Sequence, residues 1–288
     1  MANRVFVITD ITSEIGKALA MDLANTGEAL VMVAPDADQG NAVMQEIRLA
    51  TQNFSINLEL CDLSILSSVR NLAEILKSKY QKVDVLINNA SVFKKKRGVT
   101  VDGFEEMFAA NYLGPFLLTN LLLELLQAAV QANGSARVLN INSSSTTQIN
   151  FDDLQSERNF NASTAFGTSN MANLLFTFAL ARGLESTGIT VNAIHPGSEP
   201  AKASFAPLHW FRRLGSRPSG KASESIVQAA TAPELEKTTG RFLGDGKEVE
   251  APAYAHDRTV QQRLWELSEV LTNLSATKGV MPVNDPKL

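Results

Sequence analysis

The stretch RVFVITDITSEIGKALA, residues 4–20, contains the start of an α/β unit. Its first residues, RVFVI, are mostly apolar and β-branched, as in a buried strand. A loop follows, and Gly16 stands where the next helix would pack against the strand. Loops of this kind that hold a phosphate usually carry several glycines, because backbone N–H groups must approach the anion closely. Here two acids, Asp10 and Glu14, occupy the loop and leave Gly16 as its one glycine.

Short apolar runs recur along the rest of the chain, with segments of helical length between them. One such segment places Met171, Leu174, Leu175 and Phe178 at the i, i+3, i+4, i+7 spacing of a helix that lies on a sheet. Apolar strands separated by helices predict a parallel sheet covered on both faces. The predicted strands are RVFVI (4–8), LVMV (30–33), NLEL (57–60), VDVLI (83–87), RVLNI (137–141) and ITVNAI (189–194).

The predicted fold class is therefore α/β, with a doubly wound parallel sheet. We expect a single domain over residues 1–288, in which the tail after Thr231 forms a C-terminal lid and helix extension of that domain. In such sheets the ligand crevice lies beyond the carboxyl ends of the strands. The residues that follow each strand are therefore the candidates for chemistry.

Composition excludes several classes of function. The 288 residues are 44% hydrophobic, which is enough for a substantial core, and the formal net charge is −4. The one basic run, KKKR at 94–97, is too short for a nucleic-acid surface, and we expect no nucleic-acid partner. The single cysteine, Cys61, cannot form an intrachain disulfide, and we expect a buried residue at a strand end.

The sequence also gives no indication of a membrane segment. No charged and apolar leader precedes the first predicted strand, so we expect neither a signal peptide nor an anchor. The most apolar segment, YLGPFLLTNLLLELLQAAV at 112–130, is interrupted by Asn120, Glu124 and Gln127 and is predicted to be a buried helix. We expect no membrane partner and a cytoplasmic location.

Several motifs follow the predicted strands in a recognisable order. NNAS at 88–91 follows the fourth strand, NSSS at 142–145 follows the fifth, and HPG at 195–197 follows the sixth. With DGFEEMFAANYLGPFLLTNLLLELL (102–126) and GRFLGDGKEVE (240–250), they resemble the short-chain dehydrogenase/reductase family, in its retinol-dehydrogenase-like branch. The resemblance covers nearly the whole chain and implies a Rossmann fold. It does not by itself establish an activity.

The resemblance implies a phosphate loop of the form T-G-x-x-x-G-x-G. Asp10 then stands at the first glycine, Glu14 at the second and Gly16 at the third. A carboxylate roughly 4 Å from a phosphate charge is repelled by about 1 kcal/mol in water and about 4 kcal/mol at intermediate dielectric. We therefore expect no dinucleotide cofactor, or NADP or NAD bound only weakly.

Other cofactor positions that the resemblance implies are partly kept. Relatives that prefer NADP carry an arginine after the second strand, where this chain has Pro35. Asp62 matches the residue that contacts the adenine amino group, and Asn89 matches the asparagine near the ribose. With Gly16, these residues are expected to keep the shape of the cofactor pocket without holding the phosphates.

The family's catalytic residues are a tyrosine, a lysine four residues later, a serine and an asparagine. The serine corresponds to Ser143 and the asparagine to Asn111, whereas the tyrosine position is Phe166 and the lysine position is Asn170. Phenylalanine has no hydroxyl to transfer a proton, and asparagine has no charge to lower a neighbouring pKa. Loss of a positioned acid–base group usually removes about 10²–10⁴ in rate.

No other side chain is expected to replace the missing groups. Of the three tyrosines, Tyr112 follows Asn111 but should point to another face of its helix. His195 is expected to be structural, and His209 and His256 are isolated in polar surroundings. No cluster of histidine, cysteine and carboxylates has metal-ligand spacing, so zinc is not indicated.

Three functions remain open on this sequence. The first is a pseudoenzyme that binds a hydrophobic small molecule in the former active-site crevice. The second is a non-redox enzyme, of isomerase or cyclase type, in which Ser143 and Asn170 position the substrate. The third is an atypical NADP-dependent oxidoreductase. Ligand specificity should lie in SFAPLHWFRRLG at 204–215, and a homo-oligomer formed through helices is also left open.

Overall fold

One eight-stranded sheet runs through the part of the chain that the computed structural model describes, residues 4–197 and 219–274. Its strands are β1 Val5–Ile8, β2 Ala29–Ala34, β3 Ile56–Leu60, β4 Val85–Asn88, β5 Ala136–Ile141, β6 Ile189–His195, β7 Phe242–Gly244 and β8 Lys247–Glu248. The order across the sheet is β3-β2-β1-β4-β5-β6-β7-β8. All neighbours pair in parallel except β7 and β8.

Helices cover both faces of the sheet. They are α1 Glu14–Ala24, α2 Ala37–Thr51, α3 Leu66–Lys79, α4 Glu106–Phe108, α5 Gly114–Leu121, α6 Leu123–Asn133, α7 Ala162–Gly183, α8 Ser219–Thr231 and α9 Arg258–Leu271. One hydrophobic core lies between the sheet and α1, α2 and α8, and a larger one lies beneath α3, α5, α6, α7 and α9. The predicted doubly wound α/β fold is confirmed, and so are all six predicted strands.

Helix α7 is buried along most of its length. Its predicted sheet-facing residues Met171, Leu174, Leu175 and Phe178 are all buried, as the spacing indicated. The opposite side is buried as well, because α9 packs on it and Trp265 of α9 lies against the ring of Phe176. A helix enclosed between a sheet and a second helix is apolar on nearly all sides.

The apolar segment 112–130 is buried in its first half, as predicted, but it is not one helix. A π-helical turn, Ala109–Leu113, joins α4 to α5, and the chain then bends by 52° between α5 and α6. The bend falls at Leu122, whose backbone angles (φ −96°, ψ 1°) lie outside the α-helical region. Within residues 4–197 and 219–274, no single helix is long and apolar enough to span a bilayer, although this bent pair together would pass on length and composition.

The C-terminal tail contributes more than the predicted lid and helix. After α8 it adds β7 and β8 to the sheet and then forms α9 on the outer face. Strands of three and two residues are too short to show a pattern, but the GDG sequence at 244–246 is a hairpin signal, and Asp245 and Gly246 both have positive φ. The expected specificity segment 204–215, with His209, lies outside the described residues.

The prediction for Cys61 is confirmed. The residue follows the last residue of β3 and is 4% exposed. Burial raises the pKa of its thiol to about 11. A thiol of this kind is protonated at neutral pH and is therefore unreactive.

Candidate functional site

The carboxyl ends of β1, β4, β5 and β6 meet at one edge of the sheet, and most of the expected site residues lie in the segments that leave this edge. Asp10 follows β1, Asn89 follows β4 and Ser143 follows β5. Phe166 and Asn170 lie near the start of α7, which follows the β5 segment. The topology thus gathers residues that are far apart in sequence.

Asp10 adopts the backbone conformation for which a glycine is usually required. Its φ is +53°, in the left-handed region that only glycine occupies at no steric cost and that aspartate tolerates. The carbonyl of Asp10 accepts hydrogen bonds from the Ser13 hydroxyl at 3.0 Å and the Asn89 amide at 3.1 Å. Its carboxylate accepts one from the Thr12 hydroxyl at 3.1 Å. Burial raises the pKa of this carboxyl, although hydrogen bonds from Thr12 and Ser13 oppose the shift.

Gly16 allows α1 to approach the loop. A Cβ atom at this position would lie 2.0 Å from the carbonyl oxygen of Asp10. That distance is a severe clash, so only glycine fits here. The N–H of Gly16 donates to the hydroxyl of Ser13, the N-cap of α1, at 3.2 Å. Glu14 is the first residue of α1, and its side chain is exposed.

The residues of this loop do not fit an anionic pyrophosphate. Two carboxylates, of Asp10 and Glu14, stand at the start of α1, where an anion would need bare N–H groups and positive potential. Lys17, the nearest cation in the sequence, forms an ion pair with Glu46 of α2 at 2.6 Å. Next to Pro35, Asp36 caps the N-terminus of α2 and adds a further negative charge after β2.

Asn89 and Asp62 both have structural hydrogen bonds. The backbone N–H of Asn89 donates to the Thr9 hydroxyl at 2.9 Å, and its side-chain amide donates to the carbonyls of Thr9 and Asp10. Asn89 therefore ties the end of β4 to the loop after β1. One carboxylate oxygen of Asp62 accepts from both the N–H and the hydroxyl of Ser64. Their expected contacts with a ribose and an adenine stay predictions.

Phe166 belongs to a small apolar cluster that is separate from the two cores. Its side chain is buried, and its ring meets the ring of Phe93 edge to face, with centroids 5.5 Å apart and planes at 80°. The cluster also contains Met107, Ala165 and Phe160. Phe93 lies in the segment after β4, so the pair joins α7 to a second segment that leaves the strand-end edge.

Asn170 lies one helical turn beyond Phe166 and fastens α7 to the end of β5. Its side-chain oxygen accepts from the backbone N–H of Ser143 at 3.0 Å, and its side-chain nitrogen donates to the carbonyl of Phe166 at 2.8 Å. The carbonyl of Asn170 accepts a further bond from the side chain of Asn142 at 2.9 Å. Two successive residues of the strand end are thus bonded to one residue of the helix.

Asn111 is fixed by an equally complete set of hydrogen bonds. Its side chain accepts from the N–H of Val92 at 2.6 Å and donates to the carbonyl of the same residue at 2.9 Å. It also donates to the hydroxyl of Ser169 at 3.1 Å. Asn111 lies in the π-helical turn between α4 and α5, a local geometry that is frequent at functional sites.

The hydroxyl of Ser143 differs from these two amides. Ser143 is 9% exposed, and its Oγ forms no hydrogen bond with another residue in the described ranges. The sequence predicted a crevice with Ser143, Asn111 and Asn170 on its polar side. In the structure both asparagine side chains bond to the protein itself, whereas the serine hydroxyl has no such bond among the described residues.

Two contributors to the site were missed from the sequence. Phe93 supplies half of the aromatic pair, and its position just after NNAS at a strand end could have indicated it. Ser169 bonds to Asn111 and to the carbonyl of Phe166, and no local signal distinguishes it from other serines of a helix. The Phe93–Phe166 and Asn111–Ser169 contacts join residues that are distant in sequence.

The remaining candidates have structural surroundings. The hydroxyl of Tyr112 lies 2.6 Å from that of Ser268 in α9, so it points away from the crevice as predicted, and burial raises its pKa. His195 lies against Phe242, and its Nδ1 is 3.1 Å from the backbone nitrogen of Gly197. His256 is exposed, and its ring stacks on Phe178. No group of three potential metal ligands occurs within the described ranges.

Comparison with known proteins places these features in a family. The sequence profile described as short chain dehydrogenase matches residues 4–202. Mouse retinol dehydrogenase 12 is 35% identical over 272 residues, which covers 92% of this chain and 85% of that protein. Human polyprenol dehydrogenase is 33% identical over 284 residues, which covers 94% of this chain and 86% of that protein.

Solved structures show the same architecture. A protein from Mycobacterium paratuberculosis has a TM-score of 0.77 at 31% identity, with 94% of both chains covered. NADPH-bound carbonyl reductase from chicken fatty liver has a TM-score of 0.63 at 20% identity, which covers 87% of this chain and all of that one. At that identity the second likeness concerns the fold alone.

Proposed function

Because the chain belongs to the short-chain dehydrogenase/reductase family, we propose that it binds a hydrophobic small molecule in the family's crevice and lacks Tyr/Lys-dependent hydride transfer. The observation that carries the proposal is the pair Phe166 and Asn170. One is a ring packed on Phe93, and the other is an amide bonded to Ser143 and to its own helix.

The chemistry of the pair supports this proposal. Proton transfer to a substrate oxygen needs a group that can give and take a proton near neutral pH, and a phenylalanine ring offers none. An asparagine amide carries no charge that could lower the pKa of another group. Hydride transfer also needs a bound nicotinamide donor, and the carboxylates of Asp10 and Glu14 oppose the phosphates of such a molecule.

The ligand class follows from the wall of the crevice. Phe93 and Phe160 are half-buried and pack on the buried side chains of Phe166 and Met107. Ser143 lies at the strand end that Asn170 joins to the helix carrying Phe166. Apolar pockets with few hydrogen-bonding groups suit apolar ligands that carry few oxygens. The names of the relatives, retinol and polyprenol dehydrogenases, also refer to long apolar alcohols.

A second candidate is an oxidoreductase that works without the tyrosine and lysine. It is favoured by the relatives themselves, since dehydrogenases match more than nine tenths of this chain at 33–35% identity. In this case water or a group on the substrate would supply the proton. The two candidates differ in whether a nicotinamide dinucleotide binds and whether a product two hydrogens heavier or lighter appears.

Calorimetric titration with NADPH and with NADH tests the proposal. We expect no micromolar dissociation constant for the natural chain, and tighter binding after Asp10→Gly with Glu14→Gly. Glu185→Gln with Glu224→Gln is the matched control, because it removes two exposed acids outside the loop.

Incubation with a cell extract, followed by mass spectrometry, completes the test. A ligand that is retained unchanged supports binding, an isomeric product supports non-redox catalysis, and a product changed by two hydrogens supports the oxidoreductase.

A further inference from the structure

A half-buried arginine in the last turn of α7 has no anionic partner in the part of the chain that the structure describes. The guanidinium of Arg182 forms neither an ion pair nor a hydrogen bond with another residue of ranges 4–197 and 219–274. Burial and the positive charge of Arg258 both lower the pKa of this guanidinium. A cation that is partly desolvated and close to a like charge is unfavourable unless an anion accompanies it.

Ring stacking brings the second arginine to the end of α7. Phe178 lies one turn before Arg182, so their side chains share a face of the helix. The ring of His256 stacks on Phe178, with centroids 4.5 Å apart and planes at 17°. Arg258 follows two residues later as the first residue of α9. The stack therefore places the start of α9, and Arg258 with it, beside the end of α7.

The acids that neighbour these arginines in sequence do not pair with Arg182. Asp257 precedes Arg258 and is the N-cap of α9, where its carboxylate accepts two backbone N–H groups of the first turn at 2.9 Å and 3.1 Å. Glu185 is exposed and forms no ion pair with Arg182. The positive charge of Arg182 is therefore left for an anion from solution.

The place is remote from the strand-end crevice. Helix α7 starts after the carboxyl end of β5 and ends before the amino end of β6, so it crosses the sheet from one edge to the other. The stretch of helix from Phe166 to Arg182 is about 24 Å long. Since α9 packs on α7, an anion held here would link the two helices.

We propose that Arg182 and Arg258 form a binding site for a tetrahedral oxyanion of the phosphate type, either free phosphate or a phosphoryl group on a larger molecule. Each guanidinium carries N–H donors in a planar fork that matches two oxygens of an anion. Two forks require more oxygens than a carboxylate has, and a tetrahedral oxyanion provides them. The site does not depend on the function proposed for the crevice.

Thermal unfolding of the full chain in chloride buffer, with and without roughly 10 mM inorganic phosphate, tests the site. Two charge-assisted contacts support a dissociation constant of about 1 mM, so phosphate should raise the Tm of the natural chain by about 3–5 °C. Constant ionic strength in the two buffers removes general screening as a cause. An equal Tm in both buffers would overturn the proposal.

Arg182→Met should abolish the increase caused by phosphate. In chloride its Tm should equal or exceed that of the natural chain, because an apolar side chain replaces a half-buried cation that has no partner. Arg182→Lys keeps the charge without the fork and should keep part of the increase. Arg158→Met is the matched control, since it removes an exposed arginine between β5 and α7 and should keep the whole increase. A full increase in Arg182→Met would overturn the proposal.

Arg258→Gln tests the second half of the site at an exposed residue, where a change does not disturb the core. It should reduce the increase in Tm, and an undiminished increase would overturn the assignment of two arginines. Glycerol 3-phosphate at the same concentration distinguishes the two sources of the anion. A larger increase than with inorganic phosphate supports a phosphoryl group on a larger molecule, and an equal or smaller one supports free phosphate. No increase with either compound would overturn the site.

Discussion

At the scale of single residues, the loop after β1 shows what happens when a glycine position is occupied by an acid. Asp10 adopts a positive φ and keeps the turn, so the fold does not need glycine there. An acid at this position instead places a partly buried carboxylate in the loop, and few groups donate hydrogen bonds to it. The turn keeps its geometry, but it carries negative charge where an anion-binding loop offers positive potential.

Asp10→Asn should stabilise the protein at neutral pH. Burial raises the folded-state pKa of this carboxyl above its ordinary 3.8, so the folded state holds the proton more tightly than the unfolded chain. The stability of the natural chain should therefore fall as pH rises from about 4 through the raised pKa, and this component should vanish in the variant. Asparagine tolerates the left-handed conformation at least as well. Urea unfolding at pH 4 to 7 measures the difference.

The control for this prediction is Asp38→Asn, an exposed acid in the first turn of α2. It removes the same charge without changing a buried group, so the pH dependence should stay that of the natural chain. An Asp10→Asn variant whose stability follows the same pH profile as the natural chain would contradict the prediction.

Tyr112→Phe should lower the stability of the fold without changing ligand binding. The Tyr112 hydroxyl donates to Ser268 Oγ, because that oxygen itself donates to the Leu264 carbonyl. Removing it should lower the free energy of unfolding by about 1 kcal/mol. Binding of a fluorescent apolar alcohol, 1-pyrenebutanol, should not change, and weaker binding would show that Tyr112 contributes to the crevice. Tyr80→Phe is the control, because Tyr80 caps the end of α3 and its hydroxyl accepts an exposed hydrogen bond from Asn57 of β3.

At the scale of elements, α9 closes the outer face of α5 and α7. Trp265 is 3% exposed and lies against Phe116 and Phe176, with ring centroids 5.1 Å and 5.8 Å away. The guanidinium of Arg70 donates to the carbonyls of Thr272 and Asn273 at the end of α9.

Trp265→Ala should lower the free energy of unfolding by about 3–5 kcal/mol, the range for removal of a large buried aromatic side chain. Val270→Ala on the same helix is the matched control, because Val270 is 76% exposed and its truncation should cost less than about 0.5 kcal/mol. Urea unfolding followed by circular dichroism gives both values. Equal effects of the two substitutions would mean that α9 does not pack on α7 as described.

At the scale of the whole molecule, restored reductase activity would require substitutions in two separate places, the loop after β1 and helix α7. Phe166→Tyr with Asn170→Lys should give little NADPH-dependent reduction of an apolar aldehyde such as retinal. The same pair combined with Asp10→Gly and Glu14→Gly should give more than the sum of the two pairs, because proton transfer is useless without a bound hydride donor. Steady-state rates of the three variants test this, and equal activity of the first pair and the fourfold variant would contradict it.

Restoration should nevertheless be incomplete. Lysine at position 170 has no acceptor for Ser143 N–H, so the fourfold variant loses the bond that holds the serine. We therefore expect the KM of this variant for the aldehyde to stay high even though the tyrosine and lysine are present.

The sequence by itself determined the six main strands and the long helix α7. Apolar runs and helical spacing are local properties, and each is encoded by neighbours in the chain. The tertiary structure alone decided which polar side chains meet one another. Asn170 meets Ser143 across 27 residues, and Asn111 meets Ser169 across 58, because parallel strands bring their carboxyl ends together. Such bonds leave no periodic signal in the sequence, since they depend on the direction of side chains from two different elements.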